Sequence, residues 1–428
     1  MLYLLIILAV YSARYCPELY SRPLLVLPSL GLLLVLSDKE ERSLMLLRVI
    51  LLFSLLSSSL PLSSPASGLS EEKCVGVYGT VTSDTAQRTG RKTGFSLNLS
   101  AVEGKGSVHS AQGEIFVLAP QSDFLRGDEV YLEGSFNDGF YKAKEVLLLH
   151  RPQLTSLRRK LLEGLRGRLR AGELGLRLLT GNGDDGGYEL TALARSAGLS
   201  HVLALSGMHL AVLSSLLEAL LKRFTDKSWW ISTAFLSFFT WLCGSKASLL
   251  RALCFRVSGR FLEREEALLL SFILTILLSP SYASSLALHY SLLSLSGILW
   301  LSEPLGKELS RLTHVPFSIT GGLSASASAL LFTVPVTLDV FGSYTLGAVL
   351  ASVPATALIT LYLALASLSL LFPVLGLLLL PLERVITAFF TLCSEIPSSS
   401  AWGPYIALAA ALSALLVSKA AGRMLDFR

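Results

Sequence analysis

Charge is scarce in this chain. Only 16% of its 428 residues are Asp, Glu, Lys or Arg, against roughly a quarter in ordinary soluble domains. Hydrophobic residues make up 52% and the mean hydropathy is +0.60. That balance excludes an ordinary water-soluble globule and predicts a polytopic membrane protein. Metal and redox motifs are missing too. Five cysteines, Cys16, Cys74, Cys243, Cys254 and Cys393, lie scattered, with no CxxC and no Cys/His spacing suited to zinc. Only Cys74 falls in a segment with soluble character, so no disulfide framework is implied. The loop Gly181-Asn182-Gly183-Asp184-Asp185-Gly186-Gly187 lacks the Gly-Lys-Ser/Thr of a nucleotide P-loop. No resident metal, no cofactor and no enzyme activity are expected.

What is present is a series of apolar runs of membrane length, about 20 residues each. Three open the chain, near 1–20, 22–36 and 44–60, and residues 1–61 form an N-terminal membrane segment. Arg14 follows the first run rather than preceding it, so this run reads as an uncleaved span and not as a signal peptide. After Pro61-Leu62-Ser63-Ser64-Pro65 the composition changes. Residues 72–150 predict a small soluble β domain, with five short alternating strands and Gly/Asp/Asn turns at even spacing. A barrel of the OB type suits that pattern. Such a domain serves equally as a spacer or as a binder of single strands, with Phe95 or Phe116 as stacking rings. From residue 188 onward the chain is almost entirely apolar, with spans near 200–221, 228–243, 266–279, 283–301, 317–338, 344–372 (bent or split), 374–396 and 401–418. The fold class is thus a polytopic α-helical membrane protein of about nine to eleven spans with an inserted, OB-like all-β domain. Residues 188–428 form its membrane core.

Two basic stretches stand out against this background. Residues 154–180 begin with a basic amphipathic segment in which Leu154, Leu157, Leu161, Leu165 and Leu169 share one helical face. Arg159, Arg166 and Arg170 lie opposite. One reading lays this helix in the membrane interface; the other makes it a collar that meets nucleic-acid phosphates. In the second stretch, 246–264, Arg256, Arg260 and Arg264 repeat at i, i+4, i+8 on one helical face, while Arg251 stands apart among apolar neighbours. Snorkelling cations and cations along the path of an anionic polymer are the two readings there.

Residues 198–217, GLSHVLALSGMHLAVLSSLL, carry the most information. Polar and ionisable residues inside a membrane segment are costly and mark function by default. His201 and His209 are about 12 Å apart along a straight helix, too far to share a metal. Ser206 and His209 have hydrogen-bonding spacing, but no acid accompanies them to complete a hydrolytic dyad. The residues read best as a polar face with a local break at Ser206-Gly207, of the kind tolerated where a helix lines a cavity.

The order of these residues resembles the ComEC family of competence DNA-uptake channels. The loop Gly181–Gly187, the stretch Tyr188–Ala197, and then Gly198, His201, Ala204, Ser206, Gly207 and His209 carry the family's signature pattern. The pair Arg251-Ala252, and Pro335 with Phe341-Gly342, are similar to further family elements. The family's Phe-Gln-Leu-Ser is matched only in part by Leu288-His289-Tyr290-Ser291, with Ser291 in place. The resemblance implies a multi-span cytoplasmic-membrane channel that passes one DNA strand inward during natural transformation, with the β domain on the outer face. The implied path residues are His201, Ser206, Gly207, His209, Arg251 and Ser291, with phosphate contacts from Arg159, Arg166, Arg170, Arg256 and Arg260. Implied partners are single-stranded DNA, the lipid bilayer, and a separate DNA receptor, nuclease and cytoplasmic motor; self-association stays open. Many members continue into a metallo-β-lactamase-like nuclease with an HxHxDH cluster. No histidine follows His314 here, so nuclease activity is not expected from this polypeptide. A secondary transporter of a small solute is the alternative, though no clear repeat and few acidic residues in the membrane half support it.

Overall fold

The computed structural model describes residues 66–67, 74–88, 92–104, 106–120, 122–137, 140–168, 173–180, 187–203, 207–279, 282 and 285–401. The expected spans at 1–20, 22–36 and 44–60 lie outside these residues, as does all but the first residue of the one expected at 401–418.

The N-terminal part of the described chain is a sheet of eight strands. These are β1 (Ala66–Ser67), β2 (Cys74–Val81), β3 (Ala86–Arg88), β4 (Lys92–Gly104), β5 (Ser107–Gln112), β6 (Glu114–Pro120), β7 (Glu129–Asn137) and β8 (Phe140–His150). Five of them are the strands expected from sequence, and they close on themselves. β4 pairs antiparallel with β2 and β6, β2 with β7, and β7 with β8, and β8 returns parallel to β6. The 13-residue β4 serves two partners because its first half faces β6 and its second half β2. Closure needs sharp coiling, and Gly134 supplies it: a Cβ there would lie 2.1 Å from the Lys142 carbonyl oxygen. Alternation sends Val77, Leu97, Val117, Val130, Leu132 and Tyr141 into the interior, all fully buried. The three short strands β1, β3 and β5 are additions to this ring.

The rest is helical. α1 is Gln153–Arg168, α2 Glu173–Thr180, α3 Gly187–Ser196 and α4 Ser200–Leu203. α5 is Gly207–Leu221, α6 Ser228–Leu242, α7 Ala247–Ser258 and α8 Arg264–Leu278. α9 (Leu286–Gly297) runs on through a π turn, Ile298–Ser302, into α10 (Glu303–Thr313). α11 is Phe317–Phe341 and α12 Ala348–Ser369; a 3-10 turn, Pro373–Leu378, leads into α13 (Leu379–Ser394). Three helical stretches among the described residues are long and apolar enough to cross a membrane: Phe317–Phe341, Ala348–Ser369 and Pro373–Ser394. α5, with 15 residues, spans about 22 Å, short of the roughly 30 Å hydrocarbon core.

These helices invert the soluble pattern. Leu350, Leu361, Leu377, Val385 and Leu392 point outward, whereas Thr320, Ser324, Ser328 and Ser352 are buried between helices. Lipid tails satisfy the apolar exterior, and buried hydroxyls bond across or along helices. Ser352 meets Ser326 at 2.6 Å, and Thr320 donates to the Gly306 carbonyl at 3.0 Å. This is the architecture of a membrane protein. Two segments differ from expectation. Residues 344–372 do not split, since α12 carries Pro354 inside one continuous helix, as α11 carries Pro335. Residues 154–180 are two helices, and Leu174, Leu176, Leu178 and Leu179 of α2 bury themselves in the same core as α5, α6 and α12.

A polar junction ties the barrel to the helices. Asp84, in the loop after β2, accepts both arms of Arg158 on α1, and their side chains are 5% and 3% exposed. Arg158 Nε donates to the Leu242 carbonyl at the end of α6 (2.8 Å). Arg126, in the loop before β7, donates to Ser279 Oγ (3.0 Å) and to the Tyr282 hydroxyl, which donates to the Ser245 carbonyl at 2.6 Å. Burial pushes the Asp84 carboxyl up. The bonds and charge of Arg158, the Arg126 amide and the charge of Lys246 outweigh this and hold it below the usual carboxylate value. The α6–α7 turn passes over this pair with Gly244 at φ 78° and Ser245 at φ 50°. A Cβ on Gly244 would lie 2.7 Å from Asp84 Oδ2, so only glycine fits.

Candidate functional site

The junction fixes which ends of the helices face the barrel. α6 ends at Leu242 and α7 begins at Ala247, both beside Asp84 and Arg158. Ser279 and Tyr282, just before α9, join the same cluster. α5 runs antiparallel to α6 through the short 222–227 connection, so it starts on the barrel side. Gly207, Arg251 and Ser291 therefore all lie within about two turns of the barrel-facing end.

There they meet. Arg251 Nε donates to Ser291 Oγ at 2.8 Å, from α7 to α9. A Cβ built on Gly207 would lie 3.1 Å from Ala252 Cβ and 3.5 Å from Arg251 Nη2. Glycine is what lets the first turn of α5 come this close to the guanidinium. Arg251 is 4% exposed and stacks loosely on Phe255, 6.0 Å from the ring centroid. Its Nη1 is buried with no hydrogen-bond partner among the described residues. His209, two positions beyond Gly207, is fully buried, and His289, one turn before Leu293 on α9, is 3% exposed. The Thr360 hydroxyl of α12 lies 3.9 Å from Met208 Sδ, closing the other side. α4 ends at Leu203 and α5 begins at Gly207; residues 204–206, where the sequence predicts a break, lie outside the described residues. Ser206 and Arg170 lie outside the described residues, and His201 sits on α4.

The other expected contacts are elsewhere. Arg256 is enclosed at the far end of α7. It donates to Thr233 Oγ1 (3.1 Å), Ser214 Oγ (2.6 Å), Ser232 Oγ (2.8 Å) and Glu218 Oε1 (2.5 Å), with Trp229 5.2 Å away. Its donors are thus engaged inside the protein. Arg260 is exposed and lies 5.7 Å from the Trp229 ring. Arg159 bonds to Asp123 of the barrel, 3.1 Å between side chains, and Arg166 is exposed on α1. Phe95, expected as a stacking ring, is 1% exposed and packs edge-on against Phe124, so it belongs to the barrel core. Phe116 is half-buried.

Sequence reasoning missed three residues that organise these clusters: Asp84, Arg158 and Glu218. Glu218 had a signal, being the lone carboxylate in the apolar stretch 198–221. Asp84 and Arg158 had none, because their pairing joins positions 74 apart. Among the described residues, no group of three His, Cys, Asp or Glu is placed to hold a metal ion.

Residues 178–425, more than half of the chain, match the family model described as Competence protein. The chain belongs to the Competence protein family. No curated protein and no solved structure matches it. The matched range of this Competence protein contains Gly207, His209, Arg251 and Ser291, together with the Arg256 cluster. The barrel and its anchor residues Asp84, Arg126 and Arg158 precede the matched range.

Proposed function

We propose that this Competence protein is a channel that carries single-stranded DNA across the cytoplasmic membrane, without enzymatic activity of its own. The observation that carries this reading is the meeting of Gly207, Arg251 and Ser291 at the barrel-facing end of a family-matched helical core. A donor-rich polar pocket in an apolar core suits a polyanion.

Orientation follows from charge. Lys222, Arg223 and Lys227 lie in the α5–α6 connection, Arg260 in the α7–α8 connection and Arg264 at the start of α8. The Arg256 cluster holds these connections at one end, opposite the barrel. The positive-inside rule assigns that end to the cytoplasm and the barrel to the outer face. The closed five-strand ring, with its single parallel pairing of β6 and β8, supports an OB-type barrel. The exposed Leu154 and Leu157 of α1 favour a helix resting on the lipid interface. A separate receptor, nuclease and motor would act with the channel.

The test is uptake of labelled DNA by cells carrying the wild-type chain, a deletion, or His209→Ala at normal membrane expression. Loss of internalised single strands in both altered strains supports the channel. Unchanged uptake in the deletion strain sinks it and leaves a small-solute transporter as the better reading.

A further inference from the structure

One stretch of the barrel surface is out of character. Outward positions of the five-strand ring, such as Asn98, Glu133, Ser135, Lys142 and Lys144, are exposed and hydrophilic. The large apolar side chains exposed on that ring, among the described residues, are Leu147, Leu148 and Leu149 at the end of β8, at 60%, 40% and 50%. Strict alternation would turn every second side chain inward. A register shift against β7 interrupts it: His150 pairs with Glu129 and Leu148 with Val130, so Leu149 is an unpaired extra residue. The chain then turns at Arg151, whose guanidinium holds Asp128 at 2.8 and 2.7 Å, and enters α1. There Leu154 and Leu157 are exposed, while Thr155 and Arg158, each one position further on, are buried. Residues 147–157 thus present a strip of five leucines on one side and are held to the protein on the other.

This strip lies where the barrel meets the helices. Val130, the partner of Leu148, closely follows Arg126, which donates to Ser279 and Tyr282 before α9. Arg158 donates to the Leu242 carbonyl at the end of α6. The exposed Phe235 and Phe238 of α6 come one to two turns before Leu242, about 6–10 Å along the axis. The leucines therefore stand where the exposed apolar face of a helix in the membrane half gives way to a soluble domain. That is the depth of lipid headgroups and upper acyl chains. In water, five neighbouring exposed leucines would form the kind of patch that a soluble surface avoids.

We propose that the end of β8 and the start of α1 form one lipid-docking surface, with Leu147, Leu148, Leu149, Leu154 and Leu157 set into the leaflet beneath the barrel. This deepens the placement of α1 on lipid given above: the barrel itself is seated in the bilayer surface. The docking rests on the membrane architecture and needs no DNA transport. Lys160, exposed one turn beyond Leu157, reaches headgroup phosphates by snorkelling while its stem lies along the leucines. The Arg151–Asp128 and Arg158–Asp84 pairs tie the strip to the barrel, so lipid contact sets the height of the barrel over the helix ends.

The experiment places a bimane fluorophore on Leu149→Cys, Leu154→Cys and Ser135→Cys, in the full chain, one chain per nanodisc of phosphatidylcholine. Cys74, Cys243, Cys254 and Cys393 are buried, and the unsubstituted chain gives the labelling background. Ser135 lies on β7 six residues beyond Glu129, up to about 20 Å further from the helices. Bimane at 149 and 154 is expected to lose emission to bromine carried high on the lipid acyl chains and to be shielded from iodide in the water. Bimane at 135 is expected to show the reverse. Iodide quenching at 149 and 154 leaves the strip in water and overturns the docking. Protection from both quenchers means that protein covers it, which also overturns the docking. Bromine quenching at 154 but not at 149 returns the lipid contact to α1 alone and overturns the seating of the barrel. Equal bromine quenching at 135 shows no oriented surface and overturns it as well. Docking and channel fail separately: uptake can require a chain whose strip is in water, and the strip can meet lipid in a chain whose deletion leaves uptake unchanged.

Discussion

The two ends of α7 carry the same residue type in opposite circumstances. Arg256, toward the α7–α8 connection, has a carboxylate and three hydroxyl oxygens around it. Arg251, toward the barrel, has one hydroxyl and the close-packed Gly207 of α5. The difference separates a cation whose donors are all engaged from one with a single acceptor and an unpaired Nη1 among the described residues. Arg256 stitches α5, α6 and α7 at their ends away from the barrel. Arg251 has a buried Nη1 without an acceptor among the described residues. The Asp84–Arg158 pair at the junction resembles Arg256 in this respect, although it is more deeply buried.

The comparison breaks most easily at the junction. Asp84→Asn leaves Arg158 buried without its counter-charge and is expected to cost about 3–5 kcal/mol, read as a lower unfolding temperature in detergent and faster proteolysis between barrel and helices. Acid should do the same more gradually. The folded Asp84 carboxyl titrates below its unfolded value, so its stabilisation is full above the unfolded pKa and drains away as pH falls through the folded one. Unfolding followed against pH should show the junction intact at neutrality and weakening only below about pH 4, with that step absent in Asp84→Asn. Glu218→Gln at the far end of α7 should cost less, about 1–3 kcal/mol, because that pair is 20% and 19% exposed. Arg251→Gln should have the smallest effect on stability, zero or slightly stabilising, since it removes a charge that has no counter-charge. The same variant should lose DNA uptake. A large loss of stability in Arg251→Gln, matching that of Glu218→Gln, would erase the distinction between the two ends.

Much of the architecture was legible in the amino-acid order. Period-2 alternation exposed the five strands that close the barrel, because each strand buries one face only. Runs of apolar residues marked α5, α6, α8, α9 and α11 to α13, because a membrane rewards length and hydropathy directly. Arg251 was legible as an oddity among apolar neighbours. The short strands β1, β3 and β5 were not, since two to six residues leave no period to read. At 344–372, expected as bent or split, the chain does not split: α12 keeps Pro354 inside one helix, where packing against neighbouring helices outweighs the local penalty. Phe95 misled in the barrel, since an alternating aromatic reads alike whether it faces bases or a core.

The roles of the arginines were beyond such reading. Local order makes Arg251, Arg256 and Arg260 cations on or near one helix, and it made Arg256 and Arg260 the more regular candidates for phosphate. Whether a cation is spent or available depends on acceptors brought from other elements: Glu218 and Ser214 from α5, Ser232 and Thr233 from α6, Ser291 from α9. Hydropathy and periodicity act along the chain over a few residues and are written into it. Charge compensation acts through space over a few ångströms, between residues dozens of positions apart, and exists only once the helices are packed.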